Sequence, residues 1–60
     1  MNLKQILIGE AMFLSEVERD DMAKLSGFAN RYFCQPKADS LVEAMKKSPE
    51  RARYWILENY

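Results

Sequence analysis

Apolar residues in this chain come in short groups separated by capping and breaking residues. Leu3, Ile6, Leu7, Ala11 and Leu14 keep the alternating three-and-four spacing of one helical face, and Asn2 stands where an N-cap is wanted. A first helix is predicted from residue 3 to about 14. Ser15 and Glu18 then have capping-box spacing, and Val17, Met22, Ala23 and Leu25 supply apolar positions for a second helix. Gly27 falls where a left-handed C-terminal cap would sit, which ends that helix near Ser26. The segment FANRYFCQ is closed by Pro36, so it holds a third element of about two turns.

Asp39 or Ser40 caps a fourth helix that turns Leu41, Val42 and Met45 inward, with Glu43 completing a second possible capping box. Ser48, Pro49 and Glu50 are the clearest helix start in the sequence, and Ala52, Trp55 and Ile56 form the inward stripe of a fifth helix. No Asn-Gly or similar hairpin signal separates alternating runs. The expectation is all-α: a compact bundle of about five short helices with a corner at Gly27, forming one domain over residues 1–60.

Helix one complicates that picture. Stepping about 100° per residue puts Phe13, Ile6, Leu3, Leu14, Leu7 and Ala11 on one broad face. Ile8 and Met12 point well off this face and Glu10 points into it. Either Glu10 pairs internally with Arg51 or Arg53, or helix one lies between the core and a second chain, with Ile8 and Met12 as the interface residues.

Size and composition restrict the chemistry. Sixty residues are near the lower limit for folding without disulfides or metal, and 48% apolar with 30% charged residues is globular composition. Cys34 is the only cysteine and there is no histidine, so neither an internal disulfide, a cysteine-based zinc site nor the usual general base can be assembled. The expectation is therefore a protein that is not an enzyme, with no cofactor, no metal and no small-molecule substrate. Cys34, following two aromatic residues, reads as a buried small hydrophobe. The longest apolar runs fall far short of the roughly 20 residues a membrane span needs, and no signal-peptide pattern opens the chain. No membrane association and a cytoplasmic location are expected.

Net charge is zero, but residues 1–29 carry three basic and five acidic side chains while residues 30–60 carry six and four. An anionic partner would therefore meet the C-terminal half. Lys46, Lys47, Arg51 and Arg53 are the densest basic cluster; the two lysines also suit the dipole at the end of their helix. Phe33 and Trp55 read as core aromatics.

Ala23, with Gly27 four residues later, Phe28 next and Phe33 beyond, resembles the corner of the phage-repressor and Cro-like helix-turn-helix family. The ending YWILEN resembles the fifth helix of such domains. Ser26 and Pro36 depart from that pattern. The resemblance implies a small DNA-binding transcriptional regulator of phage or mobile-element type, acting as a homodimer on double-stranded DNA. Asn30, Arg31 and Gln35 would then face base edges, with Arg19 and Lys37 touching phosphates. The alternative from another class is a small helical protein that binds and inhibits or modulates a host protein through helix one.

Overall fold

The computed structural model describes residues 2–60. Four helices account for most of them: α1 (Leu3–Val17), α2 (Met22–Tyr32), α3 (Lys37–Lys47) and α4 (Pro49–Asn59). No strand occurs among the described residues, so the all-α expectation holds and the count of five is corrected to four. The bundle measures 29 × 23 × 16 Å.

Local chemistry explains where each helix begins and ends. Asn2 caps α1 as expected, its side chain accepting from the Lys4 amide at 2.9 Å. Ser15 does not cap a second helix. It lies inside α1 with its hydroxyl buried, donating to the Ala11 carbonyl one turn back at 2.6 Å. That bond satisfies the hydroxyl without interrupting the helix, which runs to Val17. The cap of α2 is instead Asp21, which accepts from the Lys24 amide at 3.1 Å.

The expected corner at Gly27 is absent. Gly27 has no positive φ and sits in the interior of α2, so FANRY forms the second half of that helix rather than a separate element. A glycine can end a helix in the left-handed region but does not compel it to. Here Leu25, Phe28 and Ala29 bury a continuous face across Gly27, and that burial carries the helix through. The true turn is Phe33–Pro36, with Phe33 in extended backbone as C-cap and Pro36 leading into α3. Asp39 lies in the first turn of α3, accepting from the Gln35 side chain at 3.1 Å. The start of α4 is as expected, the Ser48 hydroxyl accepting from the Arg51 amide at 3.1 Å ahead of Pro49.

Each helix contributes to one core. Leu7, Ile8 and Ala11 come from α1, Leu25, Phe28 and Ala29 from α2, Ala38, Leu41, Val42 and Met45 from α3, and Ala52 and Ile56 from α4. α1 packs chiefly on α4, and α2 packs on α3. α1 and α2 touch least among the helix pairs in contact. Phe33 and Trp55 are half-buried rather than central. They meet edge to face at 5.0 Å, and the Trp55 indole donates to the Ser40 hydroxyl at 3.0 Å, fastening α4 to the start of α3.

Candidate functional site

Four of the side chains expected to contact DNA lie around the α2–α3 turn, and the fifth, Arg19, does not join them. Arg19 lies in the α1–α2 link, its guanidinium donating to the Lys47 carbonyl at 3.4 Å at the far end of α3. Asn30 and Arg31 are in the last turns of α2, and Gln35 and Lys37 flank the turn into α3. α2 and α3 run antiparallel, with Met22 beside Lys46 and Val42, and Ser26 beside Asp39 and Glu43. Arg19 is thus separated from the other four by about the length of α2, roughly 16 Å at 1.5 Å per residue. Two of these side chains are also engaged locally: Asn30 donates to the Ser26 carbonyl at 2.8 Å, and Gln35 is bound to Asp39.

Ile8 and Met12, expected at an interface, are turned the other way. Ile8 is only 6% exposed within the core, and Met12 is half-buried against it. The buried side of α1 is Leu7, Ile8, Ala11 and Ser15, so the helix is rotated from the expected orientation. The rotation takes the Glu10 charge out of the buried side and admits Ser15 in its place, a serine whose hydroxyl is satisfied inside its own helix. Rotation brings Leu3 (52% exposed), Ile6 (40%), Phe13 (62%) and Val17 (57%) to the surface. Glu10 is exposed as well, and its expected pairing with Arg51 or Arg53 is not formed. Arg53 instead bridges Glu50 at 3.1 Å on its own helix and lies over the Tyr54 ring at 4.9 Å.

The outward residues 3, 6, 10, 13 and 17 keep alternating steps of three and four. That is the seam spacing of a helix that packs against another helix. Beside this stripe runs a groove between α1 and α2, lined by Glu10, Leu14, Ala23, Lys24, Gly27, Phe28 and Arg31. Its floor is open because α2 presents Ala23 and Gly27 there; a Cβ built on Gly27 would meet nothing within 4 Å. Met22, exposed at the start of α2, turns to the α3 side near Val42 and Lys46 and is not part of this groove.

Charges around the groove are sparsely paired. Among the described residues the ion pairs are Lys24–Glu18 at 3.1 Å and Arg53–Glu50, leaving Glu10 and Arg31 unbridged on the same groove. The hydrogen bond to Glu18, aided by its charge, raises the Lys24 pKa above the ordinary lysine value. Bonding to Glu50 likewise raises Arg53. Cys34, expected to be buried, is exposed in the α2–α3 turn. Among the described residues no cluster of acidic, cysteine or histidine side chains could hold a metal ion, and no helix is long and apolar enough to cross a membrane.

Comparison with known proteins gives no match, whether to a protein-family model, a curated protein or a solved structure.

The seam on α1 was present in the sequence as an exact three-and-four repeat from Leu3 to Val17, interrupted only by Glu10. It was hidden because Leu7, Ala11 and Leu14 adjoin it on the same broad apolar face, so periodicity alone does not divide the exposed part from the buried part.

Proposed function

We propose that this chain is a small helical protein-interaction module, acting by binding another polypeptide through the outer face of α1 and the adjoining α1/α2 groove. One observation carries the reading: the apolar surface of α1 is wider than the side the bundle buries, and Leu3, Ile6, Phe13 and Val17 continue it out to solvent. A helix that is apolar nearly all round belongs in an interior, and a contiguous exposed apolar patch marks an interaction surface. This keeps the class of function expected of a protein that modulates another protein, while moving its contact residues from Ile8 and Met12 to Leu3, Ile6, Phe13 and Val17.

The DNA-binding alternative depended on a corner at Gly27 and on five polar residues sharing a surface. With α2 continuous and Arg19 at the opposite end of the α2–α3 pair, that reading has less to support it than the apolar face has. The acidic neighbours Asp20 and Asp21 flank Arg19 in the same link and would repel a phosphate backbone.

A photo-crosslinking residue in place of Phe13, with a control in place of the exposed Glu58 on α4, tests the proposal in cells. Covalent protein adducts at position 13 and not at position 58 are expected. Equal labelling at the two positions, or none, overturns it.

A further inference from the structure

We propose that the occupant of this face is a second copy of the same chain, docked about a two-fold axis that runs along the α1/α2 groove. The proposal rests on the protein-binding reading above and names its partner. In this arrangement α1 of each copy lies against α2 of the other, and the two grooves face each other across the axis.

A two-fold interface must be self-complementary, since one patch supplies both what projects and what receives. This patch has both. Phe13 and Val17 project from α1, while Ala23 and Gly27 leave the neighbouring groove floor low enough for a helix to approach closely. A helical surface with projecting residues at seam spacing, beside a groove floored by small residues, has the form of knobs facing holes.

The charges give the register. Glu10 and Arg31 line the same groove, and among the described residues neither is in an ion pair. Rotation about an axis along the groove exchanges its α1 and α2 walls while keeping position along it. Glu10 then faces the partner's Arg31, and Arg31 faces the partner's Glu10, so the single acidic break in the apolar seam is matched twice.

The area is adequate. Leu3, Ile6, Phe13 and Val17 expose apolar surface on the order of 400 Å² per copy, as large as the main patch of an ordinary monomer. The groove walls bring this towards the ~800 Å² per partner of a standard interface. Direct hydration of such a patch is costly, and a second copy offers the same apolar area with charges of the required signs.

Sedimentation velocity over a concentration series, on the full chain, is the test. The wild type is expected to dimerise. Phe13→Lys, Glu10→Arg and Arg31→Glu should each weaken dimerisation about tenfold or more while leaving the circular dichroism spectrum unchanged. Mixing Glu10→Arg with Arg31→Glu should restore a dimer, because each variant then meets opposite charges at both positions of the other. A wild type that stays monomeric up to about 0.5 mM overturns the proposal, as does a mixture that associates no better than its components. Adducts from position 13 carrying only a different protein would overturn the second copy while leaving the protein-binding reading intact; absence of any adduct would remove both.

Discussion

The α3–α4 seam and the α1–α2 seam join neighbouring helices of one small bundle in opposite ways. Ser48 alone links α3 to α4, and the Trp55–Ser40 hydrogen bond fastens the two helices, with Phe33 of the α2–α3 turn against the Trp55 ring. Four residues, Glu18 to Asp21, link α1 to α2, and there the helices diverge over a groove with Ala23 and Gly27 on its floor. A groove remains at both seams, but the first is lined by the large rings of Tyr54 and Trp55 and the second by the small residues Ala23 and Gly27. One seam is fastened by a directional bond across it, and the other leaves the apolar stripe of α1 exposed beside it.

The largest effect expected from breaking this contrast is in the shared core. Leu41 is fully buried on α3, so Leu41→Ala should cost about 2–5 kcal/mol of unfolding free energy in a urea titration, enough to unfold much of a domain this small. A loss under 1 kcal/mol would mean that the closed side of the bundle is not where its stability lies. Next comes Phe13→Ala on the open side. Monomer stability should change by no more than about 0.5 kcal/mol, whereas association should weaken by tenfold or more. A large fall in monomer stability would place Phe13 in the core.

Smaller effects sharpen the comparison. Ser40→Ala removes the acceptor for the Trp55 indole, and a loss of about 0.5–1.5 kcal/mol is expected, seen together with a shift in tryptophan fluorescence. The two glycines make an internal control. Gly9 and Gly27 are both helical with open space where a Cβ would go, so alanine at either should stabilise the isolated monomer by roughly 0.5–1 kcal/mol. Only Gly27→Ala, which raises the groove floor, should also weaken self-association; equal effects of the two on the dimer would argue against the groove as the contact.

The smallest effect belongs to Lys24→Met. The folded-state pKa of Lys24 is raised by Glu18, so its favourable contribution is present below the unfolded lysine pKa and lost as pH rises through the raised value. Between pH 6 and 9 the variant should therefore show no pH-dependent difference from wild type in thermal unfolding. A difference that changes across that range would point to another titrating group at the α1–α2 link.

Different parts of the molecule were legible to different degrees, for physical reasons. The start of α4 could be read because Ser48 and Pro49 act within one turn, and no distant residue has to agree. The inward stripes of α3 and α4 were equally plain, since Leu41, Val42, Met45, Ala52 and Ile56 have polar residues around the rest of their helices. Gly27 misled because a glycine permits two outcomes, and the choice between them came from burial of Leu25, Phe28 and Ala29 on either side of it. Asp21 was the readable sign of the α2 start, but Ser15 and Glu18 offered a competing cap earlier in the chain.

The orientation of α1 was the least legible feature and decided the site. With so broad an apolar face, periodicity alone leaves the choice of buried side open. Glu10 tips the choice, because its charge costs far more to bury than Ser15, whose hydroxyl bonds to its own helix and which a hydrophobic pattern scores as polar. The same ambiguity that obscured which side is core is what makes the other side a binding face.

Exposure of Cys34 in the α2–α3 turn has a practical consequence. Because the sequence contains no other thiol, a nitroxide attached there is the sole paramagnetic centre on each chain, without any prior mutagenesis. Any dipolar coupling between electron spins in dilute frozen solution must then arise between molecules. Its modulation depth counts how many copies meet, and its frequency gives the span from one turn to the other.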